Sequence, residues 1–533
     1  MALSDYPSEA PALSLDFANS GKADIIRNYN TFNQYVYHTT VDKNGHIRVC
    51  DRGEARIYYD PETKECQGLL SEMGIWNWAP NQLMQFRDPA GNLANFVGYA
   101  GQLDCTSQTG GTATRTHNYK SPRGLINDCP RYLEGTATPT NTNVRILYGD
   151  FLPSVAQGGS GLTQGEITVS IFIKIDPDGQ TSSDPRRKME LWLSGANNTS
   201  AGKSITAKIN WEFANGDSAN DTPTTTQQFQ DATLISQFQH KYPNGWWRLG
   251  FTVKPESGAD TFMRMHYRFT GKGTDDRYTG DNFAWYVWGP QIERNIDVGK
   301  SFGPSTLTIN MSTSITAGGF ISPQLWTEVA RNTDQLAMLT FDAPRDRNTQ
   351  NRGFFNRYEY TWALKIRSDT SISREASFPR IMALRPSQGG AGQSDMQWEW
   401  FTNTTNLITS AIIAPGNSGS NGQDYVLNSE YVVGRNYNLV TSQNFDKSVY
   451  GTTNQYRNAV KQGDEPAEEV TGQVIPTPSQ YPVGIVNDFA TVNELCFGSL
   501  KGFDPCIRIF IKAVKYWPSS VTKAQAVKIA ETL

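Results

Sequence analysis

The chain has 533 residues, a formal net charge of −4 at pH 7, and 38% hydrophobic and 19% charged residues. At about 150 residues for each domain, this length predicts roughly three or four domains with buried cores. The nearly neutral charge argues against nucleic acid as a main partner, because phosphate binding usually leaves a basic face. The sequence has no run of about 18 apolar residues and therefore no predicted transmembrane helix. The start at Met1 also lacks the pattern of a signal peptide. We therefore expect a soluble product of the cytosol which, if it acts outside the cell, leaves by lysis or assembly and not by secretion.

Strand patterns begin in the first part of the chain, residues 1–150. Alternating residues predict a strand over 13–18, and two extended stretches around a turn predict a hairpin over 35–49. Residues 58–60 predict another strand, since the residue before Pro61 is kept out of the helical conformation. With 46 Gly and 11% aromatic residues, the composition is typical of β-rich domains with many turns.

The middle part, residues 151–306, has a sharper strand pattern after a glycine-rich linker at 158–161. Its predicted strands are 167–174, 190–193, 205–211, 247–253, 262–269 and 283–293. Short strands at this spacing predict a β-sandwich or jelly roll.

The last part, residues 307–533, is predicted to form a second sandwich after a bridge at 307–334. Its predicted strands are 335–341, 360–366, 396–401, 437–441, 495–498 and 507–516. A helix is predicted over 521–533, with a cap at Ser519, Ser520 or Thr522 and a packed stripe of Ala524, Val527, Ile529 and Ala530. The predicted fold class is mainly β, with tandem β-sandwich domains, an N-terminal β-rich region and a short C-terminal helix.

Four motifs stand out in chain order. They are residues 55–72 around Asp-Pro-Glu-Thr, 244–248 (Asn-Gly-Trp-Trp-Arg), 288–293 (Trp-Gly-Pro-Gln-Ile-Glu) and 511–522 with Tyr-Trp-Pro. In this order they resemble motifs of structural proteins of tailed-phage virions, of the fibre, spike or decoration type. The resemblance implies an attachment or assembly region at 1–150, a jelly roll similar to carbohydrate-binding modules at 151–306, and a laminin-G/concanavalin-like sandwich at 307–533.

The same resemblance implies a place in the virion after synthesis in the host cytoplasm. It implies other virion proteins as partners, a homotrimer as the favoured oligomer, and host surface polysaccharide as a candidate ligand, without nucleic acid or membrane insertion. Lys64, Gln67, Pro290 and the Lys512-Ala513 pair depart from the usual residues of these motifs, so no ligand contact is carried over. A soluble lectin-like glycan binder and a polysaccharide depolymerase stay open as alternatives.

Catalytic and metal-binding patterns are sparse. No nucleophile elbow, zinc-protease motif or phosphate-binding loop occurs, so we expect no enzyme and no cofactor. Asp395 and Glu399 share one face of a predicted strand but lack the acid cluster of a glycoside hydrolase, so they are interpreted as exposed acids. The acidic residues in 176–178 and 275–276 can be compared with calcium-binding loops. The rest of a ligand set is missing from both segments, so no metal site is predicted.

The tryptophans allow a sugar-binding interpretation, because flat aromatic faces can stack on sugar rings. Trp246 and Trp247 are adjacent, and Trp285 and Trp288 are three apart, so each pair is predicted to face opposite sides of a strand. A core role is expected for most of them. Trp246, at a loop edge, is predicted as the first sugar contact and Trp285 as the second.

The six cysteines fit no zinc-binding spacing. They are interpreted either as reduced thiols or as disulfides formed after release into oxidising surroundings. The pairs that are close in sequence are Cys50 with Cys66, Cys105 with Cys129, and Cys496 with Cys506.

Overall fold

The computed structural model describes part of the chain. The described residues are 7, 10–20, 36–37, 39–50, 56–71, 75–77, 104–107, 114–126, 129–133, 144–147, 166–177, 185–195, 206–256, 262–270, 282–295, 309–310, 314–315, 321–322, 329–331, 335–340, 356, 359–368, 380–385, 397–402, 407–413, 423–430, 434–444, 455–470, 494–498 and 509–533. Within these ranges, no helix has the length and hydropathy needed to cross a membrane.

Short strands make up the first part of the chain. They are β1 (Leu13–Asp16), β2 (Val36–Tyr37), β3 (Thr39–Val41), β4 (Ile47–Val49), β5 (Ile57–Tyr59), β6 (Cys66–Ser71), β7 (Ile75–Asn77), β8 (Asp104–Ser107), β9 (Thr114–Tyr119), β10 (Cys129–Leu133) and β11 (Val144–Leu147). One helical turn, α1 (Phe17–Ser20), follows β1, so the strand predicted over 13–18 ends two residues early.

Longer strands make up the middle part. They are β12 (Glu166–Asp176), β13 (Arg187–Gly195), β14 (Thr206–Phe213), β15 (Thr224–Gln230), β16 (Ala232–Lys241), β17 (Trp247–Pro255), β18 (Phe262–Thr270) and β19 (Ala284–Asn295). Strand β14 shows why this segment is extended: buried residues at 207, 209, 211 and 213 alternate with half-buried polar ones. Such a period-two pattern buries one side of the strand and leaves the other for water or a ligand.

The last part adds fifteen described strands and one helix. The strands are β20 (Ile309–Asn310), β21 (Ser314–Ile315), β22 (Ile321–Ser322), β23 (Val329–Arg331), β24 (Gln335–Thr340), β25 (Glu359–Ser368), β26 (Arg380–Arg385), β27 (Gln397–Thr402), β28 (Leu407–Ile413), β29 (Gln423–Glu430), β30 (Asn436–Asn444), β31 (Gln455–Gln462), β32 (Glu468–Val470), β33 (Glu494–Gly498) and β34 (Ile509–Trp517). The helix is α2 (Lys523–Thr532). The predicted mainly-β fold class is therefore confirmed.

Two sheets face each other in the middle part. The first has the strand order β16-β17-β12-β19-β10-β9, and β7 also pairs with β19; the second has the order β15-β14-β13-β18. A cluster of buried residues, including Ile171, Leu191 and Trp211, fills the space between them. This is the sandwich that the spacing of the strands predicts.

The first of these sheets is covered on its other face as well. Val41 and Ile47, from the hairpin of β3 and β4, pack with Phe172, Trp246 and Trp288 in a second buried cluster. The sheet therefore lies between two cores, and side chains on both of its faces are buried.

Strands from both ends of the chain share a third sheet, with the order β32-β31-β30-β25-β34-β6-β5 and with β1 paired to β34. A further six-stranded sheet has the order β24-β33-β26-β27-β28-β29. Hydrogen-bonded strands thus cross both of the boundaries expected near residues 150 and 306. The three-part division stays a prediction.

Helix α2 packs on the third sheet. Thr522 is its N-cap: the Thr522 side chain accepts a hydrogen bond from the Gln525 backbone N–H, and the Gln525 side chain accepts one from the Thr522 N–H. Ala526, Ile529 and Ala530 are its buried residues. The predicted stripe is correct at Ile529 and Ala530, and Val527 is partly buried against the same core. It is wrong at Ala524, which is exposed.

Candidate functional site

The sheet of β15, β14 and β13 has one face in the core and one polar face. On the core face of β13, Leu191 and Leu193 are buried, so the residues that alternate with them point outward. We call the outward residues of these three strands the outer polar face. They are Lys188, Glu190 and Trp192 on β13, Lys208, Asn210 and Glu212 on β14, and Thr224, Thr226 and Gln228 on β15.

Strand register arranges the outer polar face in three rows. One row runs from Trp192 through Lys208 to Gln228, and the next from Glu190 through Asn210 to Thr226. Directly opposed residues of neighbouring antiparallel strands have Cβ atoms about 4.5–5.5 Å apart. Each side chain on this face is therefore within reach of its neighbours.

Ion pairs and hydrogen bonds hold the side chains around Trp192 in place. Lys208 Nζ lies 3.3 Å from Glu190 Oε2, and Lys188 Nζ lies 3.1 Å from Glu212 Oε2. Asn210 Nδ2 donates to Thr226 Oγ1 at 3.2 Å. The charged residues of this face are two lysines and two glutamates, so their formal charges cancel. The face therefore has many hydrogen-bond donors and acceptors but no net charge.

Trp192 is the large aromatic residue of this face. It is partly exposed, and its cross-strand partner Lys208 is ion-paired to Glu190. An indole ring provides a large apolar surface at low conformational cost, while the charged and amide groups around it fix the orientation of a bound molecule. This combination suits a ligand with apolar ring faces and hydroxyl groups.

Sequence reasoning placed Trp192 in a strand and did not single it out as a site residue. A signal was nevertheless present, because Trp192 stands between two leucines that alternate with polar residues. If the leucines fill the core, the tryptophan between them must point away from it.

Trp246 and Trp285, the predicted sugar contacts, lie inside the protein. Trp246 is 1% exposed and packs edge-on against Tyr286, with 6.3 Å between ring centroids, in the cluster beneath the β3–β4 hairpin. Trp285 is fully buried between the two sheets. Neither ring has a face open to a sugar in this structure, so burial does not support the predicted role. Sugar binding itself stays untested.

The predicted opposite orientations of the tryptophan pairs explain this burial. Trp247 and Trp285 lie in the core between the sheets, whereas Trp246 and Trp288 lie in the second cluster. Both residues of the adjacent pair are buried although they face opposite sides, because the first sheet is covered on both faces.

The described cysteines carry thiols. Cys50 and Cys129 are buried, and Cys66 is partly exposed. Burial raises the pKa of the Cys66 thiol, and its Sγ donates to the carbonyl oxygen of Phe17 at 3.2 Å. The pairs Cys50–Cys66 and Cys105–Cys129 are therefore not bonded in this structure. The side chains of Cys105, Cys496 and Cys506 lie outside the described part, and disulfide formation after release stays a prediction.

Most of the acidic residues considered as calcium ligands or catalytic acids lie outside the described part of the chain. This applies to Asp178, Asp275, Asp276 and Asp395 and to the side chain of Glu399. Asp176 forms an ion pair with Lys174, with 3.1 Å between Oδ2 and Nζ. Across the described ranges, no group of three or more His, Cys, Asp or Glu residues could hold a metal ion.

Comparison with solved structures finds neighbours with low sequence identity and low TM-scores. No protein-family model and no curated protein matches the chain. The CBM40 of a Ruminococcus gnavus sialidase, bound to α2,6-sialyllactose, matches at 7% identity and a TM-score of 0.23, over 32% of this chain and 83% of that chain. A Trypanosoma rangeli sialidase bound to sialic acid matches at 10% identity and a TM-score of 0.22, over 64% of this chain and 62% of that chain. A pentraxin from Limulus polyphemus matches at 10% identity and a TM-score of 0.20, over 32% of this chain and 70% of that chain.

These neighbours correct one expectation, that the chain is not an enzyme. Sialidases from Trypanosoma rangeli align with 64% to 87% of the chain, so enzymes are no longer excluded as a class. TM-scores this low carry no argument for a particular activity. None of these neighbours is a phage protein.

Proposed function

We propose that this protein binds glycans through the outer polar face, with Trp192 as the central contact. The observation that carries the proposal is a partly exposed tryptophan held among ion-paired and amide side chains on the outward side of a β-sandwich. A sugar ring would stack on the indole, and its hydroxyl groups would bond to the side chains in the adjacent rows.

Two features of the face favour a saccharide over an apolar ligand. Polar residues surround Trp192 in the described rows, and Glu190 is buried although it carries a charge. Lys208 Nζ stabilises that carboxylate from 3.3 Å. Because buried charges are retained only when paired, the orientation of the pair is fixed before a ligand binds. Fixed polar groups reduce the entropic cost of binding.

The test is binding of the full chain to an array of immobilised neutral and acidic oligosaccharides, followed by titration with the best of them. Trp192→Ala should weaken binding by about tenfold or more, equivalent to ~1.4 kcal/mol. Trp192→Phe should retain part of the affinity because it keeps an aromatic ring. Equal affinity of Trp192→Ala and wild type, or no binding to any glycan, would contradict the proposal.

A matched pair of variants distinguishes a loss of binding caused at the outer polar face from one caused by the change in the protein's net charge. Lys208→Gln removes a charge on the face, and Lys254→Gln removes one from an exposed residue of β17 in the other sheet. We expect only Lys208→Gln to weaken binding. Incubation of the bound oligosaccharide with the protein also tests the depolymerase alternative, because release of smaller sugars would establish an enzyme.

We also propose that the protein is a structural component of a tailed-phage virion, with other virion proteins as partners and a homotrimer as its assembly. The specific observation in favour is the position of the motifs that carry the resemblance. The first motif forms β5 and β6, the last forms part of β34, and Leu69 and Leu70 pair with Ile511 and Phe510. Motifs at opposite ends of the sequence are thus neighbouring strands, so their joint presence reflects a shared structural requirement.

Immunogold electron microscopy of phage lysates, with antibody against this chain, tests the virion proposal. We expect label at one fixed place on the particle, on head, collar or tail. Label absent from intact and partly disrupted particles would refute it and favour a free lectin or enzyme. Light scattering of the purified protein tests the trimer, which has three times the 59.3 kDa mass of the chain.

A further inference from the structure

Strand β18 is the fourth strand of the sheet that carries the outer polar face, and it pairs with β13. The register pairs, with the β13 residue first, are Lys188 with Thr270, Glu190 with Arg268, Trp192 with His266, and Ser194 with Arg264. Directly opposed residues of antiparallel strands lie on the same face of a sheet. Strand β18 therefore extends the rows of the outer polar face by one residue each.

The sequence of β18 agrees with this placement. From residue 263 to residue 269, apolar or aromatic residues alternate with basic ones, and the basic ones are Arg264, His266 and Arg268. Tyr267 is fully buried in the core between the two sheets, and its register partner Leu191 lies in the same core. A period of two then places the three basic residues on the outer side of the sheet.

The contribution of β18 changes the charge of this side of the sandwich. The charged residues of the outer polar face cancel, whereas β18 has two arginines and no Asp or Glu. With His266 neutral, the four strands thus carry a formal charge of +2 on this side, while the whole chain carries −4. A surface of opposite sign to the rest of a protein attracts ligands of the opposite charge to itself.

Trp192 lies at the centre of these basic residues. Lys208 is its register partner on β14, and His266 is its register partner on β18. Arg264 and Arg268 are two residues before and after His266, so they occupy the diagonal positions next to Trp192. Diagonal neighbours are about 7–8 Å apart, within reach of long side chains. The substituents of a sugar ring stacked on Trp192 would therefore lie among cationic residues.

We propose that the glycan bound at the outer polar face is acidic, with carboxylate or sulfate groups that bind to Arg264 and Arg268. The inference rests on the proposed glycan binding and adds the chemical class of the ligand. The planar guanidinium of arginine matches the oxygens of such groups with two parallel hydrogen bonds. Lys208 adds a positive charge on the other side of Trp192.

Matched pairs of glycans that differ in charge test the inference. Oligogalacturonate with its methyl ester, and dextran sulfate with dextran, are placed on the array of immobilised oligosaccharides and incubated with the full chain at pH 7. We expect the acidic oligosaccharides of the array to bind more tightly than the neutral ones. The tightest acidic ligand should bind about tenfold more tightly than its uncharged counterpart. Whether the carboxylate or the sulfate pair shows the larger difference identifies the anionic group.

Salt and substitutions assign the preference to the arginines. Because salt screens exposed charges, added sodium chloride should reduce the preference for the acid in wild type. Arg264→Gln and Arg268→Gln should each weaken binding of the acid by about two- to fivefold, and binding of its neutral counterpart less. Lys254→Gln is the matched control, since it removes a positive charge from an exposed residue of the other sheet, and it should keep the full preference.

The outcomes distinguish this inference from glycan binding itself. Equal affinity for the acid and its neutral counterpart, with both requiring Trp192, would overturn the inference and leave the proposed function in place. A preference for the acid that persists in both arginine variants would also overturn it. Binding to no oligosaccharide of the array would contradict the proposed function, and the inference with it.

Discussion

Gly68 is the residue at which the strand pairing between the two ends of the chain is most easily tested. It lies in β6 with a φ of +106°. A Cβ at this position would collide with the carbonyl oxygen of Ile511, and would lie 2.9 Å from the Ile511 carbonyl carbon and 3.1 Å from Lys512 Cα. These are backbone atoms of β34, so they cannot move aside as a flexible side chain could. Gly68→Ala should therefore force β6 away from β34.

The magnitude follows from two separate costs. Placing alanine at positive φ costs roughly 1–2 kcal/mol, and inserting a methyl group into packed backbone costs about 1–3 kcal/mol more. We expect Gly68→Ala to lower the free energy of unfolding by ~2–5 kcal/mol. Gly434 is the matched control, with a φ of +80° and no atom within 4 Å of the position that an added methyl group would take. Gly434→Ala should show only the first cost, about 1–2 kcal/mol.

Denaturant unfolding followed by tryptophan fluorescence measures the difference. Trp362 and Trp517 are buried in the same sheet as Gly68 and report on it. Equal destabilisation by Gly68→Ala and Gly434→Ala would refute the reasoning, because it would mean that β6 does not lie against β34.

Two further predictions concern other parts of the fold. Ser218→Ala should destabilise the middle sandwich by roughly 1–3 kcal/mol. The buried Ser218 hydroxyl accepts a hydrogen bond from the Ile175 backbone N–H at 2.9 Å and donates one to the Gly245 carbonyl oxygen at 2.6 Å, and alanine removes both. Glu531→Gln should remove a pH-dependent contribution to stability, since a hydrogen bond from a backbone N–H and the bond to Lys461 lower the Glu531 pKa below its ordinary value of 4.5. A lowered pKa stabilises the folded state at pH values above the ordinary pKa, and this contribution is lost as the pH falls through the folded pKa.

Each of these predictions has a clear contrary result. The matched control for Ser218→Ala is Thr233→Ala, because Thr233 is exposed on β16. Thr233→Ala should leave the free energy of unfolding within about 0.5 kcal/mol of wild type. Equal losses from the two variants would contradict the role of the buried Ser218 hydroxyl. For Glu531→Gln, the difference in Tm from wild type should be largest at about pH 7 and should shrink as the pH falls below 4.5 and through the lowered folded pKa. A difference that does not change with pH would contradict the assignment.

Alternation in the sequence located many of the strands, although β16 and β31 were not predicted, and it did not show what covers the strands. It predicted β12, β14 and β17 because their residues keep a period of two. It also predicted opposite orientations for Trp246 and Trp247. It could not predict that both would be buried, since the cover over Trp246 comes from the β3–β4 hairpin, far earlier in the chain.

The candidate site also depends on both local sequence and tertiary structure. Trp192 could have been placed on an outward face from its leucine neighbours, but its rows with Lys208 and Asn210 depend on strand register. Side-chain direction is local, whereas the neighbours of a side chain depend on which strands pair.

By itself, the sequence determined the mainly-β class, the positions of strands such as β12, β14 and β17, and three candidates for the cap of the C-terminal helix, because these depend on residues within a few positions of one another. Tertiary structure decided that β6 and β1 join the sheet of β34, that Trp246 and Trp285 are buried, and that Trp192 lies on a polar face. These features arise from contacts between segments far apart in the chain. The burial of Trp246 and Trp285 is stabilised by covering both faces of one sheet, which no local pattern records.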